Sequence, residues 1–156
     1  MSKVKYRPRS TFNNIFQLED GITELGQRDF NEVTPTVYCL KPEMLTGHNV
    51  GFIYVYTPWC DVCISHITDL YEVVGISQSF GKIFAINAYN TDVHNDQLML
   101  DLGIHEYPMA FLVNKMGYMT PYNYIISASS IYASMMHLNE SQEALMVGSG
   151  SKRRQR

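Results

Sequence analysis

Apolar residues along the chain fall into two periods. Val50 to Tyr56 reads VGFIYVY, unbroken and rich in β-branched and aromatic residues. Such a run predicts a strand buried on both faces. Beyond Cys60 the period lengthens: Cys63, Ile67, Leu70 and Val74 recur at intervals of four, three and four. That spacing predicts one face of a helix, and Gly75 is placed to end it. KIFAINA, Lys82 to Ala88, is another strand. Asn90, Thr91 and Asp92 offer helix N-caps, and Leu98 and Leu102 stack on a helix that Gly103 stops. MAFLVN, Met109 to Asn114, is a strand, and Lys115-Met116-Gly117 reads as a hairpin turn. Tyr118 to Ile126 can return antiparallel, with Pro121 marking an edge or a break. Ser127 to about Asn139 reads as a last helix, with Ile131, Met135 and Leu138 on one face.

Upstream of Val50 the pattern is weaker. TVYCL, Thr36 to Leu40, is β-rich, and Pro42 to Leu45 suits one helical turn with proline at its start. Residues 1–33 mix charges, Asn, Gly and Pro without sustained periodicity. They are expected to form an extension with a short helix near Phe12 to Leu18. At the other end VGSGSKRRQR is flexible by composition. The folded domain is therefore expected over residues 34–140 and a flexible basic tail over 141–156. The order β, short α, β, α, β, α, β, β, α predicts an α/β or α+β domain, a mixed sheet with helices on both faces.

At 156 residues, 46% apolar and 17% charged, the chain suits one domain with a real core and is too poor in charge for wholesale disorder. No apolar run approaches the roughly 20 residues that span a bilayer. The basic start MSKVKYRPRS is followed by no apolar stretch of secretory type. The expected setting is the reducing cytoplasm, where a close cysteine pair is catalytic or metal-binding rather than a staple. The net charge of −3 hides a split. All 15 acidic residues lie between Glu19 and Glu143, with only Arg28, Lys41, Lys82 and Lys115 among them. Lys3, Lys5, Arg7 and Arg9 fill one end, and Lys152, Arg153, Arg154 and Arg156 the other. An acidic body with basic tails suits tethering to an acidic partner, nucleic acid or a membrane surface, or simply solubility. The KRR cluster could also serve as a nuclear address.

The cysteines carry the candidate chemistry. Cys60 falls where strand gives way to helix, so helix N–H groups and the helix dipole favour an anion there. That placement lowers a thiol below its free pKa of about 8.5. Cys63, one turn on and facing inward, can attack a mixed disulfide formed at Cys60. A metal reading would combine Cys60, Cys63 and His66 with Cys39 or His105, but structural zinc usually brings a second close pair, and the sequence has none. No metal is expected. Cys39, inside an apolar strand, is a small buried hydrophobe or a regulatory thiol.

Two segments then bring a family into view. VGFIYVYTPWCDVC, Val50 to Cys63, resembles the active-site strand and loop of the thioredoxin superfamily, in the manner of the Y-A-P-W-C-x-x-C of protein disulfide isomerase domains. LGIHEYPMAFLVNKMG, Leu102 to Gly117, resembles the thioredoxin segment Y-G-I-x-x-x-P-T-x-x-x-F-x-x-G. The resemblance covers roughly Thr36 to Asn139. It implies a thioredoxin-like, three-layer α/β/α fold and a thiol–disulfide oxidoreductase in which Cys60 attacks and Cys63 resolves. It implies that Trp59, after Pro58, shields the pair, and that Pro108 takes the place of the family's cis-proline beside the cysteines. Tyr107 would offer backbone hydrogen bonds to an extended substrate chain. No cofactor is implied beyond a redox-active Cys60–Cys63 disulfide. Protein disulfides would be the substrates, and an external reductase or thiol pool would recycle the pair.

Three departures from the family pattern stand out. Tyr54 occupies a position where the family commonly has a buried acid, and a tyrosine with pKa about 10 is a poor base near neutrality. Asp61 and Val62 separate the cysteines; Val62 brings no charge to a thiolate and Asp61 opposes one, so a higher Cys60 pKa and a disulfide harder to reduce are expected than in Gly-His sites. Tyr107 is bulkier than the usual Thr, Val or Ile and would narrow the groove. These departures, with the charge split, leave a second class open: a structural or adaptor protein of the same fold, tethered through basic tails to a nucleoprotein or virion-like assembly.

Overall fold

Every side chain of the VGFIYVY run is buried, so the run needs cover on both faces and hydrogen-bonded neighbours on both edges. The structure, a computed structural model, describes residues 13–34 and 37–154, with side chains as far as residue 144. In chain order it contains β1 (Ile22–Glu24), β2 (Phe30–Thr34), β3 (Val37–Leu40), β4 (Val50–Tyr56), α1 (Asp61–Ser65), α2 (Ile67–Ser77), β5 (Gly81–Asn87), α3 (Asn95–Leu102), β6 (Met109–Val113), β7 (Met119–Pro121) and α4 (Ala128–Arg154). β4 is central in a five-stranded sheet ordered β1-β5-β4-β6-β7. It runs parallel to β5 and antiparallel to β6; β1 is parallel to β5, and β7 antiparallel to β6. The sheet is therefore mixed.

Alternation along β4 sends Phe52, Tyr54 and Tyr56 to one face, where they join Leu70 and Val73 of α2 and Ile131 and Met135 of α4. Ile53 and Val55 go to the other, with Leu98 and Met99 of α3 and with Phe30 and Leu40. Burying each large apolar side chain contributes about 1.5–3 kcal/mol, so the two half-cores bind the three layers together. Tyr54 is flanked in register by Ala85 and Ala110. Two small neighbours leave room for its ring.

The N-terminal half departs from the expectation of an extension over 1–33. β1 completes the sheet edge, and Phe16, Ile22, Leu25 and Phe30 are buried. Each is a single apolar residue anchored by distant parts of the chain, which leaves no local period to read. The helix expected near Phe12 to Leu18 is absent among the described residues; the chain bends at 13 and 15 and makes only a 3₁₀ turn, Leu18–Asp20. The β-rich TVYCL segment does not enter the main sheet. Its described part, β3, pairs antiparallel with β2 as a separate hairpin.

Elsewhere the differences concern boundaries. The helix after Cys60 is two helices that meet at His66, and it passes Gly75 to end at Ser77. The return after Gly117 keeps strand register over Met119–Pro121, extended at its ends by Asn114 N–H donating to the Tyr118 carbonyl at 3.0 Å and Tyr122 N–H to the Ala110 carbonyl at 2.8 Å. α4 continues well past Asn139, so the domain does not stop at 140. Gln142 is the reason at that point: its Nε2 donates to the Asn49 carbonyl at 3.0 Å and its Oε1 accepts from Lys115 N–H at 2.8 Å. The basic residues of the N-terminal tail, and the side chains of the C-terminal ones, lie outside the described part.

Gly117 closes the β6–β7 hairpin with φ +93°, and a Cβ there would run into the Leu40 carbonyl. Gly47 has a similar φ of +85° but faces open space. Left-handed backbone alone costs a non-glycine about 1–2 kcal/mol. Gly47→Ala should lose about that much in urea unfolding, and Gly117→Ala at least about 3 kcal/mol, because backbone cannot yield as a side chain can.

Candidate active site

The site forms where β4 leaves the core. Thr57 and Pro58 are still buried, whereas Trp59 and Cys60 are half-buried. Cys60 N–H donates to the Thr57 carbonyl at 3.2 Å, folding the loop back. Cys60 is the N-cap of α1, and its Sγ accepts the Cys63 N–H at 3.2 Å. A sulfur in that position takes over a backbone donor that the helix leaves unpaired. Cys63 is fully buried. Burial, and next its contact with Cys60, push its thiol from 9.0 up to about 12. The two thiols thus differ sharply: one reaches the surface, and the other keeps its proton within the core.

Tyr54 anchors this arrangement from beneath. Its ring is fully buried, and its hydroxyl donates to the Cys63 carbonyl at 2.8 Å. Burial foremost, then the two cysteine sulfurs, raise its phenol well above the ordinary range. Tyr54 is therefore a fixed donor that holds α1 onto β4. His66, at the break between the helices, sets its ring edge-on to Tyr54 at 6.3 Å. Asp61 and Val62 are exposed, and Val62 carbonyl accepts from Ser65 Oγ at 2.6 Å.

The remaining residues singled out in the sequence lie at the same end of the sheet. β6 starts with Met109 opposite Val55, near the end of β4. Tyr107 and Pro108 immediately precede it, and the Tyr107–Pro108 peptide is cis. Both are half-buried. Trp59 packs edge-on against Tyr89 with ring centroids 4.4 Å apart, and Tyr89 is 49% exposed. Beside Tyr89 lies a polar cleft lined by Asn13, Asn14, Gln17, Asn90 and Asp92. The zinc ligands considered from sequence are not assembled: Cys39 is buried on β3 in the separate hairpin, and His105 is exposed. Among the described residues, no group of three His, Cys, Asp or Glu side chains converges as a metal ion would require.

Sequence reasoning missed Glu24, Tyr56, Phe16 and Tyr89. Glu24 lies on β1, in the stretch read as an extension, so nothing local marked it. Its carboxylate accepts from the Tyr56 hydroxyl, and one of its oxygens, Oε1, is buried with no partner among the described residues. Burial is the main cause that lifts its carboxyl from 4.5 to about 7, against the downward pull of hydrogen bonds from Tyr56 and from the Phe16 and Asn87 backbone.

No family model and no curated protein matches the sequence. Solved structures match in fold. The J-Trx1 fragment of ERdj5 superposes with a TM-score of 0.58 and 20% identity, over 77% of this chain and 52% of that one. Human ERp44 form II gives 0.60 and 16%, over 85% and 32%. Chloroplastic thioredoxin z gives 0.57 and 14%, over 82% and 99%. The chain thus spans about half of the ERdj5 fragment, about a third of ERp44 and nearly all of thioredoxin z. At these identities the likeness establishes the fold. The chain has a thioredoxin-like α/β fold with a C-x-x-C pair at the exit of its central strand.

Two outcomes follow from the buried groups. Tyr54→Phe removes the donor to a buried carbonyl and should cost about 1–3 kcal/mol in chemical unfolding while the fold persists. Glu24 binds its proton more tightly folded than unfolded, so its contribution to stability is full below pH 4.5 and is lost as pH rises to about 7. Urea unfolding should show a fall of about 3 kcal/mol across that window. Glu24→Gln should flatten it.

Proposed function

We propose that this chain is a thiol–disulfide oxidoreductase working through Cys60 and Cys63. The observation that carries the reading is Cys60 Sγ in the N-cap of α1, accepting the Cys63 N–H at 3.2 Å, with the Cys63 side chain fully buried. The Cys63 N–H is aimed at the Cys60 sulfur, and the half-buried Cys60 can meet a substrate. In the reductive direction the Cys60 thiolate attacks one sulfur of a substrate disulfide. A mixed disulfide forms and the other substrate sulfur leaves as a thiolate that takes a proton. Cys63 then gives up its proton and attacks Cys60 Sγ, so the Cys60–Cys63 disulfide forms and the second substrate thiol departs. An external dithiol or reductase returns the pair to the reduced state; the same steps in reverse oxidise a substrate.

The surroundings suit an unfolded polypeptide. Backbone groups at Tyr107, just before β6, offer strand-like pairing to an extended chain. Val62, 58% exposed, and the Trp59–Tyr89 pair give an apolar rim near the sulfur. Among the described residues no helix is long and apolar enough to cross a membrane.

A titration in glutathione buffers, read by alkylation and mass spectrometry, tests the reading. Cys60 and Cys63 should interconvert as a pair while Cys39 stays free. Cys60→Ser should abolish turnover of a model protein disulfide, and Cys63→Ser should accumulate the mixed disulfide. A pair that never oxidises reversibly would sink the enzyme reading and favour the tethered adaptor, whose binding to an acidic partner would be lost on removing Lys152 to Arg156 and weakened by salt.

A further inference from the structure

Residues Asn13 to Gln17 are held at the end of the sheet that carries the cysteines. Asn14 Oδ1 accepts from Asn87 Nδ2 at 3.1 Å and from Asn90 Nδ2 at 3.3 Å. Ile15 N–H donates to the hydroxyl of Tyr56, the last residue of β4, at 3.0 Å. The two asparagines that grip Asn14 are themselves fixed. Asn87 ends β5, and its Oδ1 accepts the Tyr89 N–H at 3.1 Å. Asn90 Oδ1 accepts the Asp92 N–H at 3.1 Å and caps the 3₁₀ turn Thr91–Val93.

The polar cleft beside Tyr89 lies between this segment and that turn. Its volume of about 650 Å³ is that of a ligand site. Asn13, Asn14 and Gln17 line it from the segment, Asn90 and Asp92 from the turn, and Asp92 is its single charged side chain. Asn14 Nδ2 and the side chains of Asn13 and Gln17 have no hydrogen-bond partner among the described residues. The Tyr89 ring belongs both to the cleft and to the cysteine site. It packs against Trp59 at 4.4 Å, and it lies close enough to Tyr107 to raise that phenol, second to burial.

Strand order sets the distances. β5, β4 and β6 are neighbours, and at this end they carry Tyr89, the cysteine loop and Tyr107–Pro108 in that order. Adjacent strands stand roughly 4.8 Å apart. A chain that passes from Tyr107 over Cys60 therefore reaches Tyr89 and the cleft after a further 5–10 Å or so, about two or three residues of extended polypeptide. Each peptide group brings one N–H and one carbonyl. A carboxamide answers both, since it donates and accepts. The unpaired carboxamides of the cleft thus match a main chain arriving from the cysteine.

We propose that the cleft between Asn13–Gln17 and Asn90–Asp92 is a subsite for the substrate polypeptide: it takes the residues that flank the reacting cysteine on one side and selects flanks that are polar and not acidic. The proposal rests on the dithiol reading above and names its substrate class, disulfides carried by extended polypeptide. Asn13 and Gln17 pair with the main chain of the flank, and Asp92 repels an acidic side chain there. The segment ahead of β1 is then part of the substrate site, joined to it through Tyr89.

The test uses the reduced full chain and peptides with one cysteine, joined through a mixed disulfide to a coloured aromatic thiol. The Cys60 thiolate attacks the peptide sulfur, the Cys60–peptide disulfide forms, and the aromatic thiolate leaves with the electron pair. Its release against peptide concentration gives a limiting rate and a half-saturation concentration. Lengthening the peptide from one to four Ser and Asn residues on one side of the cysteine should lower half-saturation about fivefold to tenfold, the worth of one or two hydrogen bonds. A glutamate flank of the same length should give no gain. Asn13→Ala combined with Gln17→Ala should return half-saturation to that of the shortest peptide, the effect falling there and not on the limiting rate. Thr91→Trp, which fills the cleft from its other wall, should do the same. Half-saturation equal in the native chain and both variants, or a gain lost equally for extensions on either side of the cysteine, would overturn the proposal. Failure of Cys63 to close on the Cys60–peptide disulfide, read by alkylation and mass spectrometry, would overturn the dithiol reading instead, and half-saturation would still decide the subsite.

Discussion

β4 is buried along its whole length, and the rest of the molecule is arranged to keep it so. α2 and α4 must cover one face and α3 with the β2–β3 hairpin the other. This strand meets solvent at its C-terminal exit, and the two cysteines stand there. The cysteine pair thus stands at the mouth of the core. Tyr54 shows how closely the two are joined. Its ring is a core side chain between Ala85 and Ala110, while its hydroxyl fixes the carbonyl of Cys63.

This continuity explains the contrast between the thiols. Cys60 lies at the rim and Cys63 within, so solvent reaches one residue and the core encloses the other. The buried thiol is hard to ionise, which places the demand of any exchange reaction on its proton. Tyr54 cannot meet that demand, since its own proton is held more firmly still than that of an ordinary phenol. That buried end is closed by the Phe16 and Tyr56 rings packed against Tyr54.

Much of this was legible in the sequence wherever a local period existed. VGFIYVY, KIFAINA and MAFLVN became β4, β5 and β6, and the four-three-four spacing after Cys60 became a helical face. The cysteine pair needed only its position after a strand. What could not be read locally depended on distant partners. Phe16 and Ile22 are isolated apolar residues whose burial is decided by β4, β5 and α2. Glu24 gave no signal, because an acid in an irregular polar stretch is ordinarily solvated. The break at His66 and the anchoring of Gln142 likewise depend on contacts far along the chain.

Trp59 is the chain's single tryptophan, and it sits next to Cys60 with Tyr89 against its ring. All indole emission from this molecule therefore originates within one residue of Cys60. Neighbouring sulfurs quench excited indole differently as a disulfide and as a dithiol, so under the proposed dithiol chemistry the single indole would report the state of the pair. No label is needed to follow the site in real time, and no second indole dilutes the signal.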